Sequence, residues 1–123
     1  MNKKILIAIH DISLANTIMD NLTENGYISE FVRNGDDVID EMKKIKPDLL
    51  LIDIKLQGKS GYDVLNEKSF DREVTKIPVI VVSNSGEPVH MKKIPSTPMI
   101  RDYMIALHID IPTLIRKVEK IFV

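Results

Sequence analysis

The sequence predicts a single α/β domain, in which a five-stranded parallel sheet is covered by helices on both faces. Three observations predict this class. Short apolar runs recur along the chain, amphipathic helical patterns separate them, and the connecting loops are short. Strands that alternate with helices through short loops form parallel sheets with right-handed crossovers. The expected strand order is 2-1-3-4-5, the doubly wound order of flavodoxin-like folds.

The strands are predicted at residues 4–9, 27–32, 49–52 and 77–82, with a fifth inside 99–107. The first, third and fourth of these runs are almost entirely apolar, which is typical of strands buried on both faces. The second run is the most polar and suits an edge. The order 2-1-3-4-5 places each strand where its polarity requires.

Predicted helices follow the first, second and third strands, and another closes the chain. The first carries an apolar stripe and ends at Gly26, and the second follows the turn at Asn34-Gly35, with Asp36 and Asp37 in its first turn. The third is predicted at residues 62–69. The last opens at Asp110-Ile111-Pro112, with a cap and an early proline.

A fourth helix, before the fifth strand, is predicted to be short, distorted or absent. Pro88, Pro95 and Pro98 fall in this segment. Proline costs about 3 kcal/mol in a helix interior, so at most two turns fit, over residues 88–94.

Composition narrows the classes of function. The chain of 123 residues is predicted to be one domain over residues 1–123, and its 44% apolar content suits a soluble globular protein. A formal net charge of −1 gives no electrostatic case for direct binding to nucleic acid or to an anionic membrane. The chain has no cysteine, which excludes disulfides and thiolate metal sites. We expect a cytoplasmic protein.

Three polar residues follow predicted strands: Asp11, Asp53 and Ser83. The carboxyl ends of parallel strands meet at one edge of the sheet, where ligands bind. Two carboxylates 4 Å apart repel by roughly 4 kcal/mol at an effective dielectric of 20, so such a cluster needs a cation. Oxygen ligands favour Mg²⁺, and a carboxylate beside that ion is a nucleophile for phosphoryl groups.

The segment around Asp53 resembles a known family. Pro47-Asp48-Leu49 leads through apolar residues to Asp53, and Gly61 follows eight residues later. This pattern is similar to the phosphoacceptor segment of the CheY-like receiver domain of two-component response regulators, and the resemblance covers the whole chain.

The resemblance implies a role for each matching residue. Asp53 would accept the phosphoryl group, and Asp11, Asp53 and the backbone carbonyl of Lys55 would hold Mg²⁺. Ser83 would contact the phosphoryl group, and Tyr103 would be the switch aromatic. The expected partners are a histidine kinase or phosphotransfer protein and a downstream effector. The chain would not be an enzyme beyond self-phosphorylation and self-dephosphorylation of Asp53.

The chain departs from the family pattern at His10, Gln57, Ala106 and Leu107. His10 stands where the family has a second acid, so the Mg²⁺ site is expected to be weakened. Ala106 and Leu107 replace the family's lysine and proline, which removes a fixed positive charge. Gln57 replaces a loop proline.

Several alternatives stay open on the sequence alone. Lys55 or Lys59 could supply the missing charge. His10 and His108, with Asp11 and Asp53, could bind Zn²⁺ or Mn²⁺ in place of Mg²⁺. Asp11 could instead cap the first helix. Ser83 could only stabilise the turn after its strand, and Tyr103 could be an aromatic residue of the core. His90 is expected to be exposed.

Two functions follow from these observations. The first is a phosphorylatable receiver that signals through the face formed by the fourth helix, the fifth strand and the last helix. The second is a pseudo-receiver, a protein-interaction module that works without phosphorylation. A small phosphatase or flavin enzyme is disfavoured, because His10-Asp11-Ile12-Ser13 stands where a glycine-rich phosphate loop would follow the first strand.

Overall fold

The computed structural model describes residues 2–84, 87–105 and 108–123 of the chain. The sheet comprises β1 (Lys4–Ala8), β2 (Ile28–Val32), β3 (Leu49–Asp53), β4 (Val79–Ser83) and β5 (Ile100–Ile105). The α-helices are α1 (Ile12–Glu24), α2 (Val38–Ile45), α3 (Gly61–Phe70) and α4 (Ile111–Ile121). Within these ranges, no helix combines the length and the apolar character that a membrane crossing requires.

The strand order is β2-β1-β3-β4-β5 and every pairing is parallel, so the predicted fold class is confirmed. Strands β3 and β4 are buried along their whole length, whereas β2 is at least partly exposed at every position. The register pairs Asp53 with Val82, and Ser83 with Ile105. The carboxyl ends of the three strands β3, β4 and β5 therefore share one edge of the sheet.

Two hydrophobic cores lie on opposite sides of the sheet. Helices α1 and α4 cover the first core, where Ile18, Leu22 and Leu114 are fully buried. Helices α2 and α3 cover the second, which includes Met42 and Val64. Each helix buries one face, the expected arrangement for a helix packed on a sheet, and on α3 that face includes Lys68 beside Val64 and Leu65.

The helix ends follow local rules, with two corrections to the predictions. Helix α1 is followed by Gly26, whose φ of +87° suits glycine. Asp36 and Asp37 lie in a 3-10 turn, Gly35–Asp37, ahead of α2, so their predicted place in its first turn is wrong. At α4, the Asp110 carboxylate accepts a hydrogen bond from the Thr113 hydroxyl rather than from a backbone amide.

The connection between β4 and β5 is the irregular part of the second face. Over residues 87–99 the helical structure is limited to one 3-10 turn, Met91–Lys93, which confirms the prediction that a fourth helix is short, distorted or absent. The Tyr62 hydroxyl accepts a hydrogen bond from the backbone N–H of His90 at 2.8 Å. The Lys93 ammonium lies 5.4 Å from the centre of the Tyr62 ring. Tyr62 thus ties the connection to α3.

Candidate functional site

Asp53 is the last residue of β3, and its side chain is only 7% exposed. Its carboxylate oxygen Oδ1 accepts a hydrogen bond from the backbone N–H of Lys55 at 3.0 Å. Behind it, the N–H of Gly61 donates to the carbonyl of Ile54 at 2.8 Å. A Cβ atom on Gly61 would lie 2.4 Å from the carbonyl oxygen of Asp53, so only glycine fits there without a shift of the backbone.

Burial raises the pKa of Asp53 above its ordinary value. The hydrogen bond from Lys55 and the charge of His10 act against that shift, and the Lys55 ammonium contributes in the same direction. Asp53 is therefore a buried carboxylate that positive charge at this edge of the sheet would stabilise. A carboxylate that is poorly solvated is also a better nucleophile than one in open water.

The loop after Asp53 is clamped to the loop between β2 and α2. The N–H of Gly35 donates to the carbonyl of Gln57 at 2.8 Å. A Cβ atom on Gly35 would lie 1.9 Å from the carbonyl oxygen of Lys59, and Gly58 has a φ of +69°. Backbone contacts thus constrain this loop without a proline at Gln57.

Ser83 ends β4 and is 4% exposed. Its hydroxyl donates a hydrogen bond to the backbone carbonyl of Glu87 at 3.1 Å. The carboxylate of the same glutamate pairs with the Lys55 ammonium. Glu87 therefore joins the loop that follows Asp53 to the connection that follows Ser83.

A cavity of about 470 Å³ lies beside this contact. Its walls come from the loop after β3, the start of α3 and the connection after β4, and they include Leu56, Tyr62, Ser83 and Val89. The cavity adjoins Ser83, so a change in the hydrogen bond of its hydroxyl would alter the cavity wall.

Asp11 lies after β1 at the same edge of the sheet and is exposed. Its Oδ1 accepts a hydrogen bond from the N–H of Leu14 at 3.2 Å, so it caps α1. His10 is also exposed, and its carbonyl accepts a hydrogen bond from the Arg33 side chain at 3.2 Å. The sequence allowed Asp11 to cap the first helix, and the structure shows that it does.

The donor set suits a small hard cation. Asp11 supplies a carboxylate from the loop after β1, and Asp53 supplies one at the end of the neighbouring strand β3. The backbone carbonyl of Lys55 offers a third oxygen. A Mg²⁺ ion binds through one or two carboxylates and keeps several waters, so these residues fit it. Within the described residues, no three His, Asp or Glu side chains cluster as metal ligands. This arrangement does not support the Zn²⁺ or Mn²⁺ alternative with His10 and His108.

The remaining predicted residues have different positions. Tyr103 lies on β5, is half-buried against the second core, and burial raises its pKa. The Lys59 ammonium pairs with Glu67 at 3.0 Å, on α3. His90 is exposed, as expected. Ala106 and Leu107 lie outside the described residues.

Sequence reasoning missed two residues of this region, Glu87 and Tyr62. Glu87 is an exposed acid in a proline-rich segment, which carries no periodic signal. Tyr62 directly follows Gly61, in the first turn of a helix beside the site. That position was the one signal that could have pointed to Tyr62. Their contacts depend on how two loops meet in space.

Comparisons with known proteins identify the family. The sequence profile of the response regulator receiver domain matches residues 5–105. The polar-differentiation response regulator DivK of Brucella anthropi is 36% identical over 84 residues, which cover 68% of each chain. Sporulation initiation phosphotransferase F of Bacillus subtilis is 31% identical over 87 residues, or 71% of this chain and 68% of that protein.

Solved structures agree on the fold. The receiver domain of a sensor histidine kinase from Pseudomonas aeruginosa, which has a magnesium ion in its active site cleft, superposes with a TM-score of 0.84. It is 18% identical, and the match covers 100% of both chains. The chemotaxis response regulator CheY4 of Vibrio cholerae gives a TM-score of 0.83 at 14% identity, over 98% of this chain and 99% of that one. At these identities the likeness concerns the fold alone. The matching profile and the two curated relatives show that this chain belongs to the receiver-domain family of two-component response regulators.

Proposed function

We propose that this chain accepts a phosphoryl group on Asp53 and passes that signal to a partner. The observation that carries the proposal is the environment of Asp53, a buried carboxylate at the end of β3 whose orientation is held by the N–H of Lys55. The buried hydroxyl of Ser83 ends the neighbouring strand. A nucleophile and a phosphoryl-binding group thus stand on adjacent strands.

The proposed reaction is a phosphoryl transfer from a phosphohistidine of a kinase or phosphotransfer partner. A carboxylate oxygen of Asp53 forms a bond to phosphorus while the P–N bond of the donor breaks. The imidazole leaves with the electron pair of that bond and takes a proton from solvent. The product is an aspartyl phosphate. Water later attacks its phosphorus, which cleaves the O–P bond, releases inorganic phosphate and regenerates the carboxylate.

Mg²⁺ would be held by Asp11, Asp53 and the Lys55 carbonyl, and it would neutralise the charge that gathers on the phosphoryl oxygens. The residues of the chain have their own tasks. The N–H of Lys55 orients Asp53, and Gly61 leaves room for the backbone behind it. Because His10 and Ala106 replace an acid and a lysine of the family, we propose a weaker metal site and slower transfer than in a typical receiver.

The proposed output face includes β5, α4 and the connection after β4. Tyr103 on β5 lies beside Ile94 and Ile100 at the edge of the second core. Met91, which lines the same pocket, and Ile105, at the end of β5, are exposed. Because that connection has little regular structure over residues 87–99, we propose that its arrangement responds to the state of Asp53.

The alternative is a pseudo-receiver that binds a partner without phosphorylation. One observation favours it: the Ser83 hydroxyl is already bonded to the Glu87 carbonyl. A receiver that never carries a phosphoryl group could keep this contact permanently.

Acetyl phosphate with Mg²⁺ separates the two functions. We expect an intact-mass increase of one phosphoryl group in the natural chain and no increase in Asp53→Asn. The absence of any adduct across a wide range of Mg²⁺ concentrations would overturn the receiver proposal and support the pseudo-receiver.

A gain-of-function pair tests the weakened site. The combined change His10→Asp and Ala106→Lys should raise the rate of adduct formation by about tenfold, because it restores an acid for Mg²⁺ and a cation for the phosphoryl group. The same rate in the double variant and the natural chain would contradict our assignment of these positions.

A further inference from the structure

Two groups that a phosphoryl group on Asp53 would attract are both bonded to Glu87. The carboxylate of Glu87 pairs with the Lys55 ammonium, and its backbone carbonyl accepts the Ser83 hydroxyl at 3.1 Å. One group comes from the loop after β3 and the other from the end of β4. Both contacts meet at one residue of the connection after β4.

We propose that Glu87 is a positioning residue that restrains Lys55, and that Lys55 is the cation of the acceptor site. This inference rests on the proposed phosphorylation of Asp53. In the unphosphorylated chain Glu87 holds the ammonium and the hydroxyl. When Asp53 carries a phosphoryl group, the Lys55 ammonium and the Ser83 hydroxyl leave Glu87 and bind phosphoryl oxygens.

Lys55 is placed for this role. Its backbone N–H bonds Asp53 Oδ1 at 3.0 Å, so its main chain is held against the acceptor. No lysine stands at position 106, where Ala106 is found. By contrast, the Lys59 ammonium pairs with Glu67, on α3.

The exchange is favourable on charge. The Lys55 and Glu87 side chains are 61% and 59% exposed, and ion pairs at such exposure contribute little to stability. A phosphoryl group carries close to two negative charges and offers three acceptor oxygens, against one charge on Glu87. A hydroxyl also bonds a charged oxygen more strongly than it bonds a neutral carbonyl. Both groups therefore gain by leaving Glu87.

The exchange would also change the connection after β4, away from the acceptor site. Releasing Glu87 removes contacts that join the connection after β4 to the acceptor loop, whereas Tyr62 still holds His90 and Lys93. The start of the connection would then be held less tightly to the acceptor loop, while the Tyr62 anchor stays in place. The state of Asp53 would thus alter the part of the second face that has the least regular structure.

The test is a double-variant cycle with acetyl phosphate and Mg²⁺, read as the initial rate of adduct formation by intact mass. Glu87→Gln removes the carboxylate and keeps the backbone carbonyl, and it should raise the rate about threefold. Lys55→Met should lower the rate about tenfold, and Lys55→Arg should restore most of it. Combined with Lys55→Met, the Glu87→Gln change should have no further effect.

Lys59→Met is the matched control, because it removes the same charge from the same loop and should leave the rate unchanged. Urea midpoints of all variants show that they are folded. A readout that folding defects would not mimic is NMR with beryllofluoride. The amide shifts of residues 87–94 should change in the natural chain and should already be partly displaced in Glu87→Gln before any addition.

The outcomes distinguish the two levels of the proposal. If the natural chain forms no adduct, the proposed phosphorylation fails and this inference fails with it. If the natural chain forms the adduct and Lys55→Met reacts at the same rate, the role of Lys55 is overturned while phosphorylation stands. If Glu87→Gln speeds the reaction equally in the Lys55→Met background, Glu87 does not act through Lys55.

Discussion

The two faces of the sheet differ in how they are covered. On one face, α1 and α4 each bury a stripe of side chains, and Ile18 and Leu114 have no exposed surface. On the other, α2 and α3 are followed, over residues 87–99, by a connection with one 3-10 turn. That connection buries Ile94, at 8% exposure, and packs the partly buried Val89 against the same core. A segment with few buried contacts opens at lower free energy than a packed helix. The face under α1 and α4 is therefore the rigid one, and the connection after β4 is the part that can change its conformation.

The largest expected effect compares one side chain from each face. Leu114→Ala should lower the free energy of unfolding by about 3 kcal/mol, because it leaves a cavity under a packed helix. Ile94→Ala should lower it by about 1 kcal/mol, because the surrounding connection can collapse into the space. Urea unfolding of both variants measures the difference. Equal losses would mean that the second face is as tightly packed as the first.

A second effect concerns Lys68, which is 3% exposed on α3 and donates a hydrogen bond to the carbonyl of Thr75 at 3.0 Å. Burial lowers the pKa of Lys68 from its ordinary value of 10.5 to about 8. Between these two pH values the unfolded chain binds more protons than the folded chain at this residue. The Lys68 contribution to stability therefore rises as pH increases from about 8 to 10.5, by about 3 kcal/mol in total.

The comparison of the natural chain with Lys68→Met isolates this contribution. The variant lacks the titrating group. Its free energy of unfolding minus that of the natural chain should therefore fall by about 3 kcal/mol across that pH window. Urea unfolding at several pH values is the measurement, and the exposed Lys44→Met serves as the control. A constant difference between natural chain and variant would show that the Lys68 ammonium is hydrated.

A third effect compares two glycines, one beside the acceptor Asp53 and one after α1, and it separates activity from stability. Gly61→Ala places a Cβ atom against the backbone of Asp53, so it should slow phosphorylation by acetyl phosphate about tenfold through misplacement of the carboxylate. Gly26→Ala is the matched control. It meets open space at a φ of +87°, so it should cost stability and leave the phosphorylation rate unchanged. Equal rates in the two variants would contradict the role of Gly61.

The smallest expected effect is that of Tyr62→Phe. This change removes the hydroxyl that accepts the His90 N–H and keeps the ring under the Lys93 ammonium. We expect a loss of about 1 kcal/mol, with faster hydrogen exchange confined to residues 87–94. If exchange rose equally across α4, Tyr62 would contribute to the whole fold rather than to one connection.

Much of the fold was predictable because burial leaves a strong pattern in sequence. The apolar runs at residues 49–52 and 77–82 can be satisfied only in the middle of a sheet, and the three prolines after Glu87 exclude a long helix. The same logic placed Asp53 and Ser83 at one edge, since parallel strands end together. The start of α2 was less predictable, because a 3-10 turn and an α-helical turn differ little in sequence preference.

The sequence by itself determined the strand order, the acid at the carboxyl end of β3 and the lack of a long helix over residues 87–99. The first two follow from the polarity of residues along the chain, and the third follows from the prolines. Only the tertiary structure decided that Asp11 caps α1, that Lys55 pairs with Glu87, and that Ser83 bonds a backbone carbonyl. The Lys55–Glu87 pair is exposed, and such pairs contribute at most about 1 kcal/mol, so the sequence carries no pattern that predicts them. The distance between two loops is set by the packing of the strands that carry them.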